Sequence, residues 1–270
     1  MPVLETNGIE LDFLDIGSGP PIVLVHSSAS GNRQWRSLVE MLKGGHRILA
    51  VNLFGYGGTT AWPAERKQRL TDQAELVVAL ASVAPDPLII VGHSLGGAVA
   101  LQAALRLGDQ LSGLIVFEPI LFYMLAQHGP ADAFAEINAL ATDYHKHARA
   151  SDWESAGALF VDYWSGKGTW AAVPPERKAA LLKMLPNVVN EWDAVISPGP
   201  PLAAFDAIDA RTHLVRAADT RRPTHAIATL LTKAHSDWRF HELPAGGHMA
   251  PVSRPDLFNP LVDRILTELR

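Results

Sequence analysis

A serine hydroxyl is a weak nucleophile until a neighbouring base accepts its proton, so the serine to look for is one held out where an imidazole can reach it. Ser94 stands in Gly92-His93-Ser94-Leu95-Gly96, between the apolar run 88–91 and the small-residue stretch 95–107. A strand that turns this tightly into a helix leaves the serine with strained backbone angles. Glycines at 92 and 96 remove the side chains that would collide there. The helix start adds unpaired N–H groups and the positive end of a dipole, which favour developing negative charge. The chemistry this suits is attack on a carbonyl, with charge building on its oxygen.

Positioning that serine requires a sheet, and the chain alternates as a sheet with covering helices would. Residues 3–6 and 10–16 read as a hairpin turning at Asn7-Gly8. Residues 22–25 form a continuous apolar run, suited to a strand covered on both faces. A helix over 32–42 stops at Gly44-Gly45, a strand follows at 47–51, and a helix at 70–83. Next come a strand at 88–91, a helix at 95–107 ending at Gly108, and a strand at 114–117. The rhythm resumes with strand 213–216, helix 224–233, strand 238–243 and helix 255–269. This predicts an α/β domain with a mostly parallel sheet covered on both sides and right-handed connections. Residues 121–205 break the rhythm with helical patterns and many aromatics, among them Trp153, Phe160, Tyr163, Trp164, Trp170 and Trp192. They are expected to be a helical cap inserted in a core made of 1–120 and 206–270, most of its aromatics filling its own interior.

The 270 residues are 48% apolar and 19% charged, with net charge −5 and no block of like charge. That balance gives no electrostatic grip on nucleic acid or an anionic membrane. With no cysteine, disulfides, thiolate zinc sites and a cysteine nucleophile are excluded. His145 and His147, two apart on a presumed helix, point to different faces, so no metal and no cofactor is expected. The start, Met1-Pro2-Val3-Leu4-Glu5, lacks a basic segment followed by an apolar run, and the expected location is cytoplasmic.

Three further landmarks accompany the Ser94 turn. They are Val25-His26-Ser27-Ser28 after the third strand, Asn52-Leu53-Phe54-Gly55-Tyr56-Gly57 after the fourth, and Gly246-Gly247-His248-Met249 before the last helix. In this order they resemble the α/β-hydrolase superfamily, over nearly the whole length apart from the cap. The resemblance implies that Ser94 is the nucleophile and His248 its general base. By position, too, His248 lies in a loop at the carboxyl end of the last strand, where active sites of such sheets sit. Backbone N–H groups of Leu95 and Ser28 would then hold the oxyanion. His26 and His93 are expected to lend supporting hydrogen bonds. Two positions depart from the family pattern: Ser27 replaces a glycine of the oxyanion turn, and Asn52 replaces an aspartate.

Two carboxylates compete to orient His248. The usual position follows strand 213–216, but Thr220 occupies it and Asp219 falls one residue short. Glu118 instead ends a buried apolar strand, where charge is costly unless something cationic meets it. An imidazolium on His248 would be such a partner, and some branches of the family, haloalkane dehalogenases among them, carry their acid after this strand. Glu118 is therefore favoured, with Asp219 the runner-up.

A serine nucleophile of this type implies carboxylic ester hydrolysis through an acyl-enzyme, and argues against dehalogenase or epoxide hydrolase chemistry, which uses aspartate. C–C bond hydrolysis, lactone or thioester cleavage, and proline iminopeptidase activity share the same machinery. A non-catalytic relative that binds a small ligand is a reading of another class. The expected partner is a small, apolar acyl substrate, met by Ser27, Trp35, Phe54, Tyr56, Phe122, Tyr123 and Met124. The oligomeric state is left open.

Overall fold

In the computed structural model, which describes residues 2–84 and 87–269, the apolar runs lie inside an eight-stranded sheet. Its strands are β1 (Val3–Thr6), β2 (Ile9–Ile16), β3 (Pro21–Val25), β4 (Arg47–Val51), β5 (Leu88–His93), β6 (Leu111–Phe117), β7 (Arg211–Ala217) and β8 (Arg239–Leu243). They are ordered β1-β2-β4-β3-β5-β6-β7-β8. The pairs β1–β2 and β2–β4 are antiparallel, and the remainder of the sheet is parallel. Met1, Pro85, Asp86 and Arg270 fall within the expected core ranges but outside the described residues.

Successive strand side chains point to opposite faces, and each face has its own core. Val23, Val25, Leu49, Val51 and Ile90 join one cluster, while Ile22, Leu24, Ile48, Ala50 and Val91 join the other. The second face is covered by α1 (Arg36–Leu42) and α11 (Pro255–Leu269), through Leu38, Leu42, Val262 and Ile265. The first is covered by α2 (Leu70–Ala81), α3 (Leu95–Leu107) and α9 (Arg222–Ala234), through Leu76, Leu80, Leu101, Ile227 and Leu231. The helix expected over 32–42 is divided, because Asn32–Trp35 form a 3₁₀ turn before α1. The expected last strand starts one residue late, because Trp238 stacks on His235 with ring centroids 4.4 Å apart.

Between β6 and β7 lie α4 (Tyr123–His128), α5 (Ala131–Arg149), α6 (Trp153–Ser165), α7 (Thr169–Ala172) and α8 (Pro175–Ile196). No strand occurs among the described residues of this stretch. Phe122, Tyr144, Phe160, Trp164 and Trp192 make ring contacts with one another at the centre of these helices. The 3₁₀ segment Leu202–Ala207 crosses the expected cap boundary at 205. A last short helix, α10 (Ala250–Ser253), precedes α11. Among the described residues, no helix is long and apolar enough to cross a membrane.

Candidate active site

Ser94 links β5 to α3 with φ 58° and ψ −118°, a conformation that non-glycine residues seldom adopt. The turn closes only because its flanks lack side chains. A Cβ on Gly92 would stand 2.4 Å from the Gly96 carbonyl oxygen, and one on Gly96 would stand 2.1 Å from that of Val25. Ladder bonding continues past the strand, since Ser94 N–H donates to Phe117 O at 2.9 Å. Glu118, the residue after β6, donates its own N–H to Val215 O at 2.9 Å. Register pairs His93 with Phe117, so Ser94 and Glu118 emerge side by side from neighbouring strands.

His248 reaches both from the loop after β8. Its Nδ1 lies 2.7 Å from Glu118 Oε2 and its Nε2 2.8 Å from Ser94 Oγ. An ionised carboxylate only accepts hydrogen bonds, which assigns the proton to Nδ1 and leaves Nε2 free to take one from the serine. Glu118 itself has φ 45° and is held on three sides. Its Oε1 accepts the Ala217 N–H at 2.9 Å, and its Oε2 accepts the Thr220 hydroxyl at 2.6 Å. Thr220, the residue at the usual acid position, thus donates to the carboxylate that lies against His248. Asp219 does not meet the imidazole. Its carboxylate accepts the N–H groups of Gly246 and Gly247 at 3.2 and 2.8 Å, where positive φ values of 112° and 54° aim both donors at one acceptor. The Asp219 side chain is thus engaged with the loop that carries His248.

His93 and His26 brace the same centre. Only a donor can bond a carbonyl, so His93 Nε2–H donates to His248 O at 2.8 Å. His26 Nδ1–H donates to Ser27 O at 2.7 Å, while its Nε2 accepts the Leu53 N–H at 3.1 Å. Burial holds the His26 imidazole down to about 4, against a bond to Ser27 that raises it, so it stays neutral and can keep both roles. Ser27 is engaged by Gln34, whose Oε1 accepts its hydroxyl at 2.6 Å and its N–H at 3.0 Å. Asn52 has an equally specific place. Its Nδ2 donates to Asp12 Oδ2 at 2.8 Å and its Oδ1 accepts the Asn32 N–H at 2.8 Å. Two carboxylates in that buried contact would repel.

A family model described as "Alpha/beta hydrolase family" matches residues 22–261. The chain belongs to this family. A pimeloyl-[acyl-carrier protein] methyl ester esterase of Aliivibrio salmonicida is 36% identical over 99 residues, which are 37% of this chain and 36% of that protein. A haloalkane dehalogenase of Agrobacterium fabrum is 31% identical over 118 residues, 42% of this chain and 37% of that one. The matched stretches therefore span little more than a third of these curated relatives. A hydrolase structure from Pseudomonas aeruginosa PA01 aligns over 98% of this chain and 97% of its own, with TM-score 0.81 and 20% identity, which is a likeness of fold.

In this alpha/beta hydrolase, the space around Ser94 has two chambers. The larger, about 370 Å³, is walled by Phe160, Val161, Trp164, Leu181, Met184, Met249 and Val252, with Ser27, Ser30, Arg33, Gln34 and Arg177 also on its wall. The smaller, about 20 Å³, lies between Ser94 and Ser28 on one side and Trp164, Glu191 and Trp192 on the other. Trp164 also covers His248, their ring centroids 4.1 Å apart.

Of the seven residues expected to bind substrate, Ser27 lies on the larger wall and the other six lie behind it. Trp35 packs on Phe258, Phe54 on Trp62, and Phe122 between Trp164 and Trp192. Tyr123 donates its hydroxyl to Pro200 O at 3.0 Å, and Met124 is fully buried. The Tyr56 hydroxyl accepts the Ala29 N–H at 2.8 Å and donates to Glu191 Oε1 at 2.6 Å, joining the turn after β3 to α8. Large rings gain more from full burial than from lining a cavity. The wall falls instead to Phe160, Trp164 and Glu191. Phe160 and Trp164 were signalled only by the aromatic enrichment of residues 121–205, and Glu191 gave no signal.

Proposed function

We propose that this chain is a serine hydrolase that cleaves carboxylic esters or related acyl substrates through an acyl-enzyme on Ser94. The observation that carries this is the unbroken relay Glu118 Oε2···Nδ1 His248 Nε2···Oγ Ser94, at 2.7 and 2.8 Å. Ser94 Oγ attacks the carbonyl carbon as its proton passes to His248 Nε2. The imidazolium so formed is stabilised by the Glu118 carboxylate. Leu95 opens α3, and its N–H has no acceptor within the helix. With the Ser28 N–H it forms the expected oxyanion hole. When the tetrahedral intermediate collapses, the proton moves from Nε2 to the departing alcohol. Water then repeats the sequence on the acyl-enzyme, releasing the acid and restoring the serine. The mainly apolar larger chamber favours an apolar substrate portion there.

The test is a hydrolysis screen over short and long acyl esters and lactones, run on the wild type, Glu118→Gln and Asp219→Asn. Glu118→Gln is expected to lower kcat by about 10⁴, because a side-chain amide no longer stabilises the imidazolium or fixes its tautomer. Asp219→Asn keeps an oxygen for the two glycine N–H groups and is expected to stay within about tenfold of the wild type. The reverse order of effects would move the orienting role to Asp219. No turnover of any ester or lactone would overturn the proposal.

A further inference from the structure

The small chamber beside Ser94 has polar capacity that the described residues use only in part. Glu191 on α8 is 2% exposed and lines this chamber together with Ser94 and Ser28. Its Oε1 accepts the Tyr56 hydroxyl, while its Oε2 is buried with no hydrogen-bond partner among the described residues. Trp192 lines the same chamber, and its indole Nε1–H is also buried and unpartnered. Of the other wall residues, Ser28, Ser94 and Trp164 carry groups that can hydrogen-bond, the Ser28 hydroxyl acting on Glu191, whereas Ile120, Phe160, Val188 and Val195 carry none. A buried acceptor and a buried donor left without partners each cost free energy, unless a ligand supplies the match.

The size and chemistry of the chamber define that ligand group. About 20 Å³ accommodates one water-sized group and nothing larger. A hydroxyl has one donor and two acceptor lone pairs, and so can serve Glu191 and Trp192 together. An ammonium has no acceptor, and a carbonyl has no donor. Because Ser94 and Ser28 form one wall, whatever enters is attached close to the carbonyl carbon bonded to Ser94. The larger chamber is left for the rest of the substrate.

We infer that Glu191 and Trp192 form a hydroxyl-recognition subsite, and that the favoured substrates are esters or lactones of hydroxy acids bearing the hydroxyl within a few bonds of the scissile carbonyl. The substrate hydroxyl donates to Glu191 Oε2 and accepts from Trp192 Nε1–H. This inference rests on the proposed acyl-enzyme at Ser94. Burial also pushes the Glu191 carboxyl up to about 7, against the hydroxyls of Tyr56 and Ser28. At neutral pH the group can therefore accept or donate the hydrogen bond that a hydroxyl needs.

The experiment compares kcat/KM for p-nitrophenyl 2- and 3-hydroxybutyrate with p-nitrophenyl butyrate, and adds the 3-aminobutyrate ester. The wild type is expected to favour one hydroxy ester over butyrate by roughly tenfold or more, the worth of a hydrogen bond to a charged group. Glu191→Leu should bring that ratio to about one or below, and Glu191→Gln and Trp192→Phe should lower it part of the way. Glu191→Gln changes little in volume, and it carries the comparison if Glu191→Leu does not fold. A ratio near one in the wild type, a ratio unchanged by all three variants, or a preference for the amino ester overturns the subsite while butyrate turnover leaves the serine hydrolase standing. No turnover of any ester, with no fluorophosphonate adduct on Ser94, overturns both.

Discussion

At the scale of single residues, the site is built from groups whose hydrogen-bonding capacities match. Glu118 has accepted the Ala217 N–H, the Thr220 hydroxyl and the His248 Nδ1–H, so its charge is met from three directions. Asn52 answers the Asp12 carboxylate with an amide donor. Among the exceptions is Glu191, whose Oε2 has no hydrogen-bond partner among the described residues. Its pKa of about 7, against an ordinary 4.5, means that the folded chain keeps a proton that the unfolded chain has already released. Protons bound in excess by the folded state make stability fall as pH rises. The contribution is complete below about pH 4.5 and is lost on passing through pH 7, by at most about 3 kcal/mol. Glu191→Gln carries no such proton. Unfolding free energies measured from pH 4.5 to 8 should show the wild type losing ground to Glu191→Gln as pH rises; a constant difference would contradict the buried, raised carboxyl.

At the scale of elements, the elbow is the most constrained junction. The Val25 oxygen that a Cβ on Gly96 would strike ends β3, which is paired on one side to β4 and on the other to β5 and so has no direction of retreat. Gly96→Ala is expected to destabilise the fold by about 3 kcal/mol or more. Gly44→Ala, with nothing within 4 Å of the added carbon, should leave the denaturation midpoint nearly unchanged. Equal midpoints for the two variants would contradict the tight packing of the elbow. This junction was legible in the sequence because its signals are local: an apolar run, glycines two residues either side of the serine, then small residues. The hairpin at Asn7-Gly8 was legible for the same reason. The break between Asn32–Trp35 and α1 was not. It follows from contacts with distant chain, where Asn32 N–H bonds Asn52 and Trp35 packs on Phe258.

At the scale of the whole molecule, α4–α8 close over the carboxyl ends of the parallel strands. They are joined to the core by Tyr56–Glu191 and by the Asn187 Nδ2–H bond to Gly55 O at 2.8 Å. The contact between Glu118 and His248 is thereby enclosed, their side chains 0% and 2% exposed, and shielding from water strengthens it. The interrupted strand rhythm marked where these helices are inserted. It carried no information on which of their side chains face Ser94, because Phe160, Trp164 and Glu191 come from 66 to 97 residues further along the chain and only tertiary packing brings them there. Phe122, Tyr123 and Met124, which directly follow the Glu118 strand, looked better placed and are spent in the interior. Activation of Ser94 by His248 is tested most directly by treating the folded protein with a fluorophosphonate and mapping the adduct by mass spectrometry. A single adduct on Ser94, absent in Ser94→Ala and strongly slowed in His248→Ala, is the predicted result. A folded chain that stays unlabelled, or that is labelled at another residue, would contradict it.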